Sequence, residues 1–188
     1  MCRHRWIPLA AAVLATLVAS GAHAEGRWSG TAHAGLVFTT PGVSSGAWVG
    51  LHRTVAPNFS LGAEAGYVAL STGFETPVTH PFAPLTDWQV GADRTLRSAS
   101  VVFRGRSEGP VRIHMLVGFG YYDLENRTHF ANSSDQVQHE ELPGLAFAIG
   151  LSGAGLLRPG FQLRWDEVIR PHNDYLDVVS FAVGLHVN

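Results

Sequence analysis

Lysine is absent from all 188 residues, so the 13 basic side chains are arginines. Codon usage can produce such a bias, yet a soluble protein of this size would ordinarily carry lysine on its surface. Cysteine occurs once, as Cys2. No disulfide framework is available, even in a compartment that would permit one. There is no excess of positive charge: 13 basic residues face 15 acidic ones, which gives no support for nucleic-acid binding. Long apolar runs are also missing. The one candidate, residues 7–18, is too short to span a bilayer as a helix, and no stop-transfer pattern follows it.

That short run lies between Arg3 and Arg5 on one side and Ala22-His23-Ala24 on the other, a small-x-small cleavage pattern. Residues 1–24 are therefore expected to be a secretory signal peptide, and Cys2 leaves with it. The remainder, 25–188, is 188 − 24 = 164 residues, one domain by size. Its formal charge is 11 − 15 = −4, since Arg3 and Arg5 are removed.

Within it, residues 111–122 read V-R-I-H-M-L-V-G-F-G-Y-Y. Val111, Ile113, Met115, Val117, Phe119 and Tyr121 alternate with Arg112, His114, Leu116, Gly118, Gly120 and Tyr122. A period of two places these sets on opposite faces of a strand. The length exceeds the usual strand of about 5–6 residues and matches the 9–11 of a tilted strand crossing a bilayer. Similar runs follow Pro57 and Pro159, spaced 53 and 49 residues from Pro110. A proline at a turn or strand start removes no ladder hydrogen bond.

On that frame eight strands are expected, over 27–38, 43–55, 59–71, 93–106, 111–123, 142–153, 160–170 and 176–187. Strand four has the weakest pattern, because Leu96 and Val102 fall on the polar face and Arg97 on the apolar one. The connections at 56–58, 107–110 and 154–159 are short, whereas 72–92 and 124–141 are long and polar; those near Pro41 and Pro171 are short. Alternating turn and loop lengths are the habit of an up-and-down barrel.

A soluble barrel with its apolar face inside is the alternative, and volume argues against it. An eight-stranded barrel has an interior just wide enough for side chains. The apolar face carries Trp28, Phe38, Phe59, Phe103, Phe119, Tyr121, Phe147, Phe161, Trp165 and Phe181, while the other is mostly Gly, Ala and Ser with occasional charges. The bulky face is expected to meet lipid, making an all-β, eight-stranded antiparallel up-and-down transmembrane β-barrel. Trp28, Phe59, Phe103 and Phe161 fall near the short-turn end, and Phe38, Tyr121, Tyr122 and Tyr175 near the other, as two interfacial girdles.

With P-N-F-S-L-G-A-E-A-G-Y at 57–67, V-G-F-G-Y-Y at 117–122 and the final strand, the chain resembles the small outer-membrane β-barrel proteins of Gram-negative bacteria. The group is that around the OmpA membrane domain and OmpX, and the resemblance covers 25–188. It implies residence in the outer membrane, contact with its lipid and lipopolysaccharide, delivery by the outer-membrane assembly machinery, and a monomer. The family's C-terminal assembly signal is matched by Ser180, Ala182, Leu185 and Val187, with Ala in place of Gly and Val in place of the aromatic residue.

Some barrels of this size act on lipid A, through a His–Ser pair with an acidic partner or through His, Asp and Ser near the rim. Candidates are His80, His129, Ser133, Ser134, Asp135, His172 and Asp174, none within a matching motif. His129, His139, Glu140, Glu141, His172 and Asp174 lack the spacing of a dedicated metal site. No catalytic residue, metal or cofactor is assigned, and the chain is not read as an enzyme. The sequons at Asn126 and Asn132 carry little meaning in this setting.

The charged positions on the small-residue face are Glu64, Arg104, Arg112, Arg164 and Asp166. Inside a narrow lumen they need partners. Strands three and seven stand opposite in a ring of eight, so Glu64 is expected to pair with Arg164, with Asp166 and a second arginine extending the network into a plug. Two functional classes follow: a structural or surface-interaction barrel with a closed lumen, or a channel or transporter for small solutes of the OmpW kind. With both ends of the barrel chain in the periplasm, loops 72–92 and 124–141 are extracellular.

Overall fold

The computed structural model describes residues 27–39, 42–70, 89–130, 133–153, 156–171 and 175–187. The expected leader at 1–24, most of the 72–92 connection, Pro41, His80, Asn132, His172 and Asp174 lie outside them.

Eight strands form a closed antiparallel barrel in sequence order: β1 Trp28–Thr39, β2 Gly42–Ala56, β3 Phe59–Leu70, β4 Gln89–Arg106, β5 Arg112–Phe130, β6 Gln136–Ser152, β7 Leu157–Ile169 and β8 Tyr175–Val187. The proximal end is where β1 starts and β8 finishes; the other end is distal. Following paired residues once around the ring, Arg158 leads to His186, Thr31, Gly50 and Glu64. The path continues through Ser100, Gly120 and Gly144 and returns to β7 at Val168. The stagger is 168 − 158 = 10 residues. Eight strands with that shear tilt about 40° from the barrel axis.

Alternation sorts the side chains as periodicity demands. Leu36, Phe38, Phe59, Phe103, Phe119, Phe161, Trp165 and Phe181 are exposed on the outside. Along the β5 segment the outward residues climb from Val111 to Tyr121, 121 − 111 = 10 positions. At about 3.3 Å per residue and this tilt they rise about 25 Å, the height of an outer-membrane hydrocarbon band. Trp165 Nε1 donates to Asp177 at 3.0 Å and Tyr121 Oη to Glu141 at 2.6 Å, so both aromatics turn a polar edge toward the distal rim.

The proximal turns obey local chemistry. Between β2 and β3, Pro57 supplies its fixed φ and Asn58 takes the left-handed φ of 67° that Asn tolerates. At 107–111, Gly109 has φ 117°, Ser107 N donates to Ile113 O, and Ser107 Oγ accepts from Ile113 N.

Four expectations are corrected. Tyr122 is no girdle residue: on the inward phase of β5, it is 1 % exposed. Pro159 does not precede its strand but pairs with Leu185 inside β7. Strand four begins four residues earlier, at Gln89. The segment 124–141 is mostly ladder rather than loop, since β5 runs on to Phe130 and β6 starts at Gln136. The ladder continues there because seventeen residues of each strand pair, from Arg112↔Ser152 to Thr128↔Gln136. β4 pairs with the same β5 extension up to Phe130. Three strands thus prolong the barrel wall into a blade beyond the ends of β3 and β7. Pro143 faces outward next to Gly144, the last β6 residue paired with β7, an edge position that tolerates a missing N–H.

Candidate functional site: the lumen

β7 is the ruler for the interior. Its inward positions run Arg158, Gly160, Gln162, Arg164, Asp166 and Val168 from proximal to distal. The lumen follows that order: arginines at the proximal mouth, histidines and glutamine above them, a salt-bridged middle, and an aliphatic distal layer.

The middle is organised around Arg164, whose side chain is wholly buried. Nη1 donates to Glu64 Oε2 at 2.6 Å, while Nε and Nη2 donate to the two oxygens of Asp166 at 2.8 and 2.9 Å. The flat guanidinium fork suits a bidentate carboxylate, and charge-assisted bonds of this kind are the strong ones. Its face lies 5.5 Å from the centre of the Trp48 ring, a cation–π contact. Asp166 Oδ1 also accepts from Tyr122 Oη at 2.7 Å. Glu64 Oε1 lies 3.7 Å from His52 Nε2, and Thr31 Oγ1 meets the same nitrogen at 3.2 Å. Trp48 fits because Gly66 is opposite: a Cβ there would stand 2.5 Å from Trp48 Cδ1.

Of the five lumenal charges singled out from sequence, the structure brings together Glu64, Arg164 and Asp166. Arg104 instead donates to His186 Nδ1 at 2.6 Å. Arg112 donates to the Gly109 carbonyl at 3.4 Å. Arginine is only a donor, so His186 accepts at Nδ1 and, when neutral, carries its proton on Nε2. That Nε2–H then donates to His33 Nε2 at 3.1 Å, which fixes a one-way chain Arg104→His186→His33. The His114 ring lies 4.9 Å from that of His186. Periodicity places His114 and His186 on the inward face, but nothing in the sequence assigns them, or His33 on the inward phase of β1, a part in the lumenal network.

Distally, Val37, Val68, Leu96, Leu124, Leu142, Val168 and Val178 pack with Trp48 and Tyr122 in one buried cluster. A second group, Val102, Leu116, Ala146 and Ala148, lines the wall of β4–β6. Leu96 and Val102, which weakened the pattern of strand four, are lumen-filling residues. Arg97 faces outward at the distal rim, 3.5 Å from Asp123 and 2.9 Å from Glu125.

The blade spreads the loop candidates apart. His129 lies between Asp93 at 2.9 Å and Asp135 at 3.0 Å, and these two hydrogen bonds, that to Asp93 first, hold the imidazole pKa above its ordinary value. His139 contacts Asp123 at 3.1 Å, Glu140 accepts from Arg170 at 3.1 Å, and Glu141 accepts from Tyr121. Ser133 and Ser134 are exposed. Among the described residues no group of three His, Cys, Asp or Glu is arranged to hold a metal ion.

Neither a protein-family model nor any curated protein sequence matches the chain. Solved structures do match in fold. A major outer membrane protein from Thermus thermophilus superposes with a TM-score of 0.60 at 11 % identity, covering 87 % of this chain and 99 % of that one. Neisserial surface protein A gives 0.55 at 13 % identity, over 85 % and 94 % of the two chains. Ail, the attachment invasion locus protein of Yersinia pestis, solved with the heparin analogue sucrose octasulfate, gives 0.53 at 13 % identity over 87 % and 99 %. The fold of this chain is that of the small eight-stranded outer-membrane β-barrels.

Proposed function

We propose that the protein is a monomeric, non-enzymatic outer-membrane barrel with a closed lumen, whose distal blade is a surface for interaction. The observation that carries this reading is the contrast between outside and inside. The outside is an apolar belt of bilayer height. The inside is occupied from wall to wall by the Glu64–Arg164–Asp166 group and, distal to it, by the aliphatic cluster around Trp48 and Tyr122. A solute path needs a continuous wet bore, and a buried salt bridge capped by packed aliphatics supplies none. The belt meets outer-membrane lipid and lipopolysaccharide, and the assembly machinery reads the last strand, where Leu185 and Val187 face outward. The proximal end then faces the periplasm and the blade the exterior.

The blade's charge narrows the partner. Among its described residues Asp93, Asp123, Glu125, Asp135, Glu140 and Glu141 outnumber Arg94, Arg97 and Arg127. Ail was solved with a heparin analogue. A polyanion of that type is a poor match for this acidic blade, which suits a neutral or basic surface instead.

Reconstitution into planar bilayers tests the closed lumen. The unmodified protein is expected to give no steady ohmic current. A large, voltage-independent conductance would replace this reading with the channel of the OmpW kind.

A further inference from the structure

The two faces of the blade differ, although water meets both. Outward stand Asp123, Glu125, Arg127 and His129 of β5 with His139 and Glu141 of β6, an ion-paired mosaic of the kind expected on a solvated sheet. Inward, on the phase of the lumen-filling Leu96, Leu124 and Leu142, two cross-strand rows read Arg94–Asn126–Gln138 and Ala92–Thr128–Gln136. Gln136 and Gln138 are exposed, while Arg94, Asn126 and Thr128 are half-buried. The one charge in these rows is Arg94, whose Nε donates to Asn126 Oδ1 at 2.6 Å. Glu140, paired with Leu124 one row closer to the lumen, is neutralised by Arg170 at 3.1 Å. Asparagine is a poor strand former, and amides keep a blade in water no better than the charges on its other side. Neither propensity nor solubility accounts for this face.

Chemistry and size say what it fits. A primary amide is donor and acceptor at once, as is the Thr128 hydroxyl, whereas a carboxylate only accepts and a guanidinium only donates. A tile of such groups matches an uncharged ligand whose own groups both donate and accept, which is the description of a polyhydroxylated chain. Among the described residues no side-chain hydrogen bond engages Thr128, Gln136 or Gln138. Phe130, next on the same phase of β5, adds a ring on which the C–H face of a sugar can lie. From Leu124 to Phe130 at about 3.4 Å per residue, and across three strands about 4.8 Å apart, the face covers about 300 Å². A stable protein contact takes about 800 Å² from each partner, far more than is available here. A polyanion would meet Arg94 alone, and a polycation finds its partners on the opposite face.

We infer that the inward face of the blade binds a segment of a neutral polysaccharide presented to the cell surface, through Arg94, Asn126, Thr128, Gln136 and Gln138. The inference rests on the blade being an interaction surface and names the partner that this face takes.

NMR of the folded full chain, in a detergent without sugar headgroups, tests it. Uncharged dextran, mannan and galactan oligosaccharides are titrated in turn and followed through the side-chain NH2 signals of Asn126, Gln136 and Gln138. At least one is expected to shift these signals saturably and to leave Arg127 and His139 on the outward face unmoved. Gln136→Ala combined with Gln138→Ala, both at exposed sites, should weaken that binding about tenfold while the barrel keeps its unboiled mobility in SDS. An oligolysine peptide that shifts the outward face, with no oligosaccharide moving the amides, overturns the polysaccharide site and leaves the blade an interaction surface. No response to either ligand overturns both. Nuclear Overhauser contacts from 71–88 to these amides in the free protein would give the face to the chain's own connection, and would overturn the site as well.

Discussion

Arg164 and Glu64 meet at 2.6 Å although they stand on strands four apart in a ring of eight, so a single ion pair crosses the barrel. Everything it touches is buried, and removing one partner strands the rest. Arg164→Ala is expected to leave two carboxylates uncompensated and to lower stability by about 3–5 kcal/mol, read from urea unfolding in lipid vesicles. Glu64→Gln in the same background should restore part of the loss. A decrease below about 1 kcal/mol in the single variant would show that the carboxylates do not need the guanidinium.

Gly66 bears on the same group through packing. A side chain at 66 meets Trp48 Cδ1 at 2.5 Å and Ser98 Oγ at 2.6 Å. Gly66→Val should push the indole off Arg164, costing about 1–3 kcal/mol and shifting the Trp48 emission, whereas a change on the outward face at Ala65 should do neither. An unchanged emission spectrum would mean that the indole is not seated against residue 66.

The blade carries the pH dependence. His129 is bonded to Asp93 and Asp135, which raises its folded-state pKa. A raised value means the protonated form is favoured by folding. Its contribution is fully present below the unfolded value near 6.5 and is lost as pH rises through the folded value. NMR titration should place the His129 midpoint above 6.5, with Asp93→Asn lowering it. Amide protection factors at the tip of β5 and β6, which remove the intrinsic pH dependence of exchange, should fall at alkaline pH relative to neutral. A midpoint at or below the ordinary histidine value would contradict the two ion pairs.

Proteolysis of intact cells checks both the orientation and the blade. If 124–141 were a loop, cutting would spread along it. The ladder instead confines it to the vicinity of Ser133–Asp135, with 124–130 and 136–141 spared, and leaves the proximal turns at Asn58 and Gly109 intact. Cuts only at the proximal turns would invert the barrel in the membrane.

Where strands crossed an apolar medium, the sequence was legible: from Val111 to Tyr121 lipid and lumen impose different demands on alternate residues, and the period of two is plain. Beyond Leu124 on β5, and before Leu142 on β6, both faces meet water, so E-N-R-T-H-F and Q-V-Q-H-E-E carry no apolar alternation, and a ladder reads as a loop. Within the lumen the difficulty is the reverse. Aliphatic residues occur on both faces, so Leu96 and Val102 look like errors of phase when they are filling. Glu64 and Arg164 could be matched because ring geometry places β3 opposite β7. The turn of Arg104 toward His186 could not, because it depends on which rotamer reaches which ring.

The ten-residue stagger has a consequence for closure. Sliding one seam by a single residue exchanges inside for outside along a whole strand, so the nearest competitor is a slip of two. A stagger of eight or twelve changes the bore radius by about 0.7 Å, or about 1.4 Å from wall to wall. The contact between Arg164 and Glu64, at 2.6 Å, has no room for a narrower bore and loses its hydrogen bond in a wider one. Where β1 meets β8, the one joint of the ring that no turn connects, that pair acts as a feeler gauge set across the gap: it fits one diameter, and so one register.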